Sequence, residues 1–162
     1  MARDSGDEVL ETKLRLLALQ VLVTERDGGR VPNMRDVSLL AAELVAEGRD
    51  TPATVEAACL TQASSFWDHQ PTITTMLSEQ GVLTNGNSDD AYRHVLYLFA
   101  CKLLSPAVFQ GWFFERLPEW TSQDVLDQEL VLLFEDRDHE TDPHGKTLIE
   151  EQIRSTVQSA GF

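Results

Sequence analysis

Hydrophobic residues recur three and four positions apart along most of the chain, which is the spacing of one face of an α-helix. In the segment that we predict to be helical from Val9 to about Glu25, two such stripes run side by side. The first comprises Leu10, Leu14, Leu17 and Val21, and the second comprises Leu16, Leu19 and Val23. This pattern predicts a helix that is buried on two sides. Residues 1–8 are mostly polar, and we expect them to be frayed.

Residues that favour helix ends mark the next two predicted helices. Asn33 is a suitable N-cap for the second helix, and Gly48 can supply the left-handed residue that ends it. Thr51 and Pro52 are typical of the N-cap and the first position of a third helix. The predicted inner positions of these two helices are Val37, Leu40, Ala41, Leu44 and Val45, then Val55, Ala58, Cys59 and Gln62.

The following segment lacks a regular apolar spacing at first. We predict an irregular stretch over residues 64–70 and then a short fourth helix from about Thr72 to Gln80. Gly81 is predicted to end this helix in a Schellman motif, in which Val82 contacts Leu77.

The most apolar part of the chain lies between Ser88 and Arg116. Its first half predicts a helix that is apolar almost all round, and such a helix must be covered by other elements. Pro106 then starts a second, aromatic-rich helix, because proline fits the first helical position. We predict that this pair forms the centre of the core and that Leu98 and Phe99 are among its most buried residues.

Two further helices are predicted after Trp120. Thr121 and Asp124 form a capping box for the first of them. Residues 135–145 read as a polar stretch. Within it, Asp142 or Thr141 is predicted to cap a last helix, and Pro143 is its first residue. The apolar positions are Val125, Leu126, Leu130, Leu133 and Phe134, then Leu148 or Ile149, Ile153, Val157 and Ala160. With no convincing strand, the pattern predicts a single all-α domain over residues 1–162, with seven or eight helices around the central helix pair.

Acidic residues dominate the charge and concentrate near the end of the chain. The net charge is −14. Residues 1–118 hold 16 acids against 10 bases, a difference of −6, and residues 119–162 hold 11 against 3, a difference of −8. Such a surface repels a nucleic-acid backbone and attracts a basic partner. We therefore expect a protein partner rather than nucleic acid, although an acidic face also serves simple solubility.

The cysteine content indicates a reducing compartment, and the hydropathy gives no sign of a membrane span. Cys59 and Cys101 are the two cysteines of the chain, and both fall in helical patterns where we expect them to be packing residues. No apolar run reaches the roughly 20 residues that span a bilayer, and the polar N-terminal segment is unlike a signal peptide. The predicted location is the cytoplasm, without membrane association.

Candidate chemistry is sparse. The chain contains no phosphate-binding loop, dinucleotide fingerprint, HExxH pair or nucleophile elbow. The densest group of possible metal ligands comprises Asp136, Asp138, His139, Glu140, Asp142 and His144. Histidine with carboxylate suits zinc or manganese, but His139 and His144 are five apart across a proline and do not share a helical face. We predict no catalytic residue, no cofactor and no tight metal site.

Large aromatic residues form the other cluster of interest. Trp112, Phe113 and Phe114 are consecutive, so on a helix they point in three directions and cannot all face one core. At least one of them must lie near the surface or be covered by a neighbour such as Trp120. An exposed large aromatic side chain is typical of a partner-binding surface.

The stretch AAELVAEGRDTPATVEAACL, followed by ITTMLSEQGV, resembles a pattern found in a group of uncharacterised small helical proteins of high-GC actinobacteria. The pattern is V-x-x-G-x-D-T-P-A between two helices, then a short helix that closes on L-x-x-x-G-V. The matching residues here are Val45, Gly48, Asp50, Thr51, Pro52, Ala53, Leu77, Gly81 and Val82. The resemblance implies an all-helical bacterial protein of the cytoplasm, and it brings no catalytic residues with it.

The first hypothesis for function is a non-enzymatic interaction protein, either an immunity-type inhibitor or an adaptor, that binds a basic protein. Its predicted contact residues are Asp124, Asp127, Glu135, Trp112 and Trp120. The second hypothesis is a small metal-dependent enzyme that uses the segment from His139 to His144, and the third is a homodimeric structural module. They differ in what they require: an acidic exposed patch, a concave site with convergent titratable groups, or an exposed apolar face.

Overall fold

The computed structural model describes residues 5–27, 31–82 and 125–159. These ranges are all-helical and contain no strand, which confirms the predicted fold class for the part described. Their helices are α1 (Ser5–Asp27), α2 (Met34–Ala46), α3 (Pro52–Ala58), α4 (Phe66–Glu79), α5 (Val125–His139) and α6 (Pro143–Ser159). The predicted central pair, Ser88–Arg116, with Leu98, Phe99 and Cys101, lies outside the described residues.

Helix α1 is buried on two sides, as the double stripe predicts. One side packs on α2 and α4, in a hydrophobic cluster that also includes residues of α3, and carries Leu10, Leu14, Leu17 and Val21. Leu16 and Leu19, on the other stripe, are at most 1% exposed but are not part of that cluster. The helix begins at Ser5 rather than Val9, so part of the segment expected to be frayed is helical. Once a helix is nucleated, each added residue gains one hydrogen bond, and acidic residues favour its first turn.

Helices α2 and α3 have the predicted caps. Asn33 Oδ1 accepts the N–H groups of Arg35 at 2.9 Å and Asp36 at 3.4 Å, and Thr51 Oγ1 accepts the N–H of Thr54 at 3.2 Å. Of the apolar positions predicted for α2, those that prove buried are Val37, Leu40, Ala41 and Leu44, whereas Val45 is 37% exposed.

The predicted inner face of α3 is wrong except at Ala58, which is partly buried and packs against the core. Its buried residues are Ala53, Thr54 and Ala57, while Val55 is 47% exposed and Cys59 and Gln62 are also exposed. The reason is that α3 has only seven residues and lies between α2 and α4. Small side chains on its inner face allow a close approach to both neighbours, so size rather than hydrophobicity sets which residues face inward.

Helix α4 begins at Phe66, within the stretch predicted to be irregular, and contains Pro71 in its interior. Phe66 is 3% exposed and belongs to the same core cluster as Ile73 and Leu77. Burial of this aromatic ring offsets the backbone hydrogen bond that the proline cannot donate. The apolar spacing continues through Pro71. A prediction that treats proline as a helix breaker therefore places the start of this helix too late.

The ends of α2 and α4 are Schellman motifs that meet at one polar junction. Gly48 and Gly81 have φ angles of 77° and 83°, and the Val82 N–H donates to the Leu77 carbonyl at 2.8 Å, as predicted. The Gln80 amide donates to the Arg49 carbonyl at 2.7 Å and to Thr54 Oγ1 at 3.0 Å. The Gln80 side chain therefore joins the end of α4 to the end of α2 and to α3.

Helix α5 is longer than predicted and extends to His139, so the predicted polar loop shrinks to residues 140–142. Asp142 is the N-cap of α6, because its Oδ2 accepts the Gly145 N–H at 3.1 Å. Helices α5 and α6 pack against each other, and Leu130, Phe134, Ile153 and Val157 are their buried residues among those described. Leu148 is 49% exposed and Ile149 is half-buried, so the stripe of α6 runs through Ile149.

Candidate interaction surface

One side of α5 presents an exposed leucine surrounded by carboxylates. Leu132 is 60% exposed, and Glu129, Glu135 and Asp136 are exposed as well. These acids lie three residues before, three after and four after Leu132, so on a helix all of them neighbour its side chain. We call these residues, Glu129, Leu132, Glu135 and Asp136, the outer face of α5.

The burial of the opposite side fixes the direction of this face. Leu130 is fully buried and Phe134 is 2% exposed, and the two lie four residues apart on one side of the helix. Because Phe134 anchors α5 from that side, the outer face must point to solvent. The packing of Leu130 and Phe134 therefore sets the rotation of α5 about its axis, and this rotation places the carboxylates of the outer face at the surface.

No base among the described residues pairs with these carboxylates. Arg137, the one basic residue of α5 apart from its terminal His139, donates instead to Glu150 of α6. Its Nε and Nη2 lie 2.8 Å and 2.7 Å from Glu150 Oε1, and both side chains are 16% exposed. The outer face therefore carries three carboxylates that pair with no base among the described residues.

This ion pair changes the predicted acidic surface of the last helix. The sequence suggests that Glu150 and Glu151 both belong to it. Glu151 is exposed, but Glu150 is turned to Arg137 and fastens α6 to α5. The acidic surface is thus carried mainly by α5.

The structure describes only some of the predicted contact residues. Glu135 lies on the outer face of α5, and its role as a contact residue stays a prediction. Asp127 lies within α5, but its side chain is outside the described set, and Asp124, Trp112 and Trp120 lie outside the described residues altogether. Leu132, Glu129 and Asp136 were not among the predicted residues. The apolar spacing could have identified Leu132, because it falls between the inward positions 130 and 134. Asp136 was missed because it was assigned to the polar loop.

The possible metal ligands do not converge where the structure describes them. Among the described residues, no group of three or more His, Cys, Asp or Glu side chains is arranged to hold a metal ion. Asp136 is exposed on α5, Asp142 accepts a backbone N–H as the cap of α6, and His144 is exposed in the first turn of α6. The absence of a tight metal site stays a prediction that calorimetric titration with zinc and manganese can test.

Two other features have the residue types of a functional site. Trp67 is 53% exposed, and its ring meets the Phe66 ring edge-on at a centroid distance of 5.1 Å. A small cleft between α1 and α2, lined by Lys13, Gln20 and Asp36 among others, has a volume of about 10 Å³. Such a volume holds about one water molecule, so this cleft is too small for an organic substrate.

Two findings concern the wider identity of the chain. Within the described ranges, no helix combines the length and the apolar character needed to cross a membrane. Comparison of the chain with protein-family models, with curated proteins and with solved structures finds no match.

Proposed function

We propose that this chain is a non-enzymatic interaction protein that binds a basic protein partner through the outer face of α5, as an immunity-type inhibitor or an adaptor does. The observation that carries the proposal is the group of exposed carboxylates at positions 129, 135 and 136, which pair with no base in the part of the chain that the structure describes. A basic surface is the complement of such a group, and a negatively charged polymer such as nucleic acid is repelled by it.

The proposal places the protein in the cytoplasm, as a bacterial helical domain of seven or eight helices around the pair Ser88–Arg116. Asp124 and Asp127 are proposed to extend the acidic surface, and Trp112 and Trp120 to provide aromatic contacts beside it. Interfaces of this kind combine a charged rim, which steers association, with a few large side chains that contribute most of the affinity.

The test compares two triple charge reversals that change the net charge equally. The first is Glu129→Lys, Glu135→Lys and Asp136→Lys on the outer face of α5. The second is Asp50→Lys, Glu56→Lys and Glu79→Lys, which are exposed acids elsewhere on the chain and serve as the matched control. The wild type and both variants are used to capture partners from cells of the source organism, and the partner is identified by mass spectrometry.

We expect a basic protein to be captured by the wild type and the control variant and lost with the α5 variant. Its association rate should fall as salt rises, because screening shortens the range of electrostatic steering. Reversal of Asp124 and Asp127 in a further variant tests those two predicted contacts in the same way. A partner that binds both triple variants equally, or whose association is indifferent to salt, contradicts the proposal and moves the search to Trp67.

A further inference from the structure

We propose that Leu132 is the apolar anchor of the α5 outer face, and that the partner surface it fits is a basic amphipathic helix whose apolar side chains are flanked by lysine or arginine. This inference rests on the function proposed above and specifies the chemistry of the partner. It depends on the juxtaposition of one highly exposed leucine with three carboxylates.

Leu132 differs from the other exposed apolar side chains of the described residues. At 60% it is the most exposed of the large hydrophobic residues there, ahead of Trp67 at 53% and Leu39 at 50%. It is also the one among them that has three exposed carboxylates within one helical turn. Leu148, at 49% exposure, has only Glu151 at that distance, and the Glu43 carboxylate beside Leu39 is paired with Lys13.

The burial pattern of α5 shows that Leu132 contributes little to the fold. Leu130 and Phe134 face the interior, and position 132 lies on the other side of the helix between them. A leucine left in water forgoes the free energy that its burial would provide. A partner that covers the side chain recovers that free energy as affinity.

The surrounding charges decide which partner can cover it. A second copy of the chain would bring the same carboxylates together, and an anionic lipid surface or a nucleic acid would be repelled. A helix with apolar residues at intervals of three and four and with lysine or arginine beside them matches both parts of the surface. In this arrangement the leucine becomes the desolvated centre and the carboxylates form a charged rim.

The test uses two synthetic peptides of equal length and charge. One is an amphipathic helix of lysine and leucine, and the other has alanine in place of each leucine, which preserves helix propensity but removes the large apolar side chains. Their affinities for the whole protein are measured by fluorescence anisotropy for the wild type, for Leu132→Ala and for Leu148→Ala. Leu148 is the matched control, being a leucine of similar exposure on α6.

We expect the wild type to bind the lysine–leucine peptide about tenfold more tightly than the lysine–alanine peptide, the ratio that burial of one leucine side chain provides. Leu132→Ala should bring this ratio close to one, while Leu148→Ala should leave it near tenfold. Equal thermal midpoints for both variants and the wild type will show that the changes act on the surface rather than on folding.

The outcomes separate this inference from the proposed function. If the triple reversal on α5 weakens both peptides more than the control reversal does, yet Leu132→Ala leaves the ratio unchanged, the anchor is wrong and the acidic surface stands. If the two triple reversals affect the peptides equally, or neither peptide binds the wild type, both proposals are overturned.

Discussion

At the scale of single residues, two glycines determine where α2 and α4 end. Gly48 and Gly81 both adopt positive φ angles, and a Cβ built on either would meet nothing within 4 Å. Space is therefore not what requires glycine. The requirement comes from the left-handed backbone, which an L side chain adopts only at a free-energy cost.

Gly81→Ala should lower the free energy of unfolding by about 1–2 kcal/mol, the cost of a left-handed conformation for an alanine. Urea denaturation measures this change. Gly48→Ala, with a φ angle of 77° against 83°, is the matched control and should show a similar loss. A gain in stability at either position would contradict the Schellman assignment.

Phe134→Ala should lower the free energy of unfolding by about 3–5 kcal/mol, because it leaves a cavity where a ring is now 2% exposed. Leu132→Ala, two residues away on the outer face, is the control and should change it by no more than about 0.5 kcal/mol. A loss below about 1 kcal/mol for Phe134→Ala would show that the inner side of α5 is not a packed core, given the usual penalty.

At the scale of helices, packing overrides local signals in α4 and reinforces them in α6. Pro71 lies inside α4, where it cannot donate the hydrogen bond that a residue at this position normally gives. Phe66 and Ile73, seven residues apart, are both buried and hold the two halves of the helix in one core. In α6, by contrast, the Asp142 cap and Pro143 agree with the place where the helix starts.

Pro71→Ala should raise the free energy of unfolding by about 1–3 kcal/mol, because it restores a backbone donor and removes the ring from the helix interior. Pro71 is exposed, so the change removes no core contact. Thr72→Ala in the same helix is the control and should have an effect below about 1 kcal/mol, the range of helix propensities. A loss of stability on removing the proline would mean that the ring itself supports the fold.

The Arg137–Glu150 pair should fasten α5 to α6 more strongly than a surface pair. We expect a double-mutant cycle with alanine at both positions to give a coupling free energy of about 1–2 kcal/mol, since both side chains are 16% exposed. The control is the Arg15–Glu11 pair within α1, exposed by 35% and 31%, which should couple by about 0.5 kcal/mol or less. Equal coupling in the two cycles would show that the α5–α6 contact is no stronger than a surface pair.

At the scale of the whole molecule, the net charge of −14 opposes compaction through self-repulsion. The bases among the described residues reduce this self-repulsion unevenly. Lys13, Arg15 and Arg137 each pair with an acid, whereas none of the described bases pairs with the carboxylates on the outer face of α5. Stability and association should therefore respond to salt in opposite directions: screening stabilises the fold and slows the encounter with a basic partner.

The thermal midpoint should rise by several degrees between about 10 mM and 150 mM salt, as the screening length shortens from roughly 30 Å to 8 Å. In the two triple charge-reversal variants this rise should be smaller, and equally so, because both variants carry the same net charge. A difference between the variants would show that position, rather than total charge, governs the effect. The measurement is differential scanning calorimetry at each salt concentration.

The sequence by itself determined the all-α class, the double burial of α1, the caps at Asn33 and Thr51, and the helix ends at Gly48 and Gly81. These features depend on local backbone geometry and on the period of apolar residues, which neighbours in sequence suffice to specify. Of the candidate surface, the acidic charge pattern pointed to Glu135.

Only the tertiary structure decided the rest. The inner face of α3 depends on how closely α2 and α4 approach it, and the start of α4 depends on the burial of Phe66 across a proline. The pairing of Arg137 with Glu150 removes one acid from the surface and leaves the outer face of α5 without that base. Such outcomes depend on residues that are far apart in the chain, and a local pattern contains no information about which of them meet.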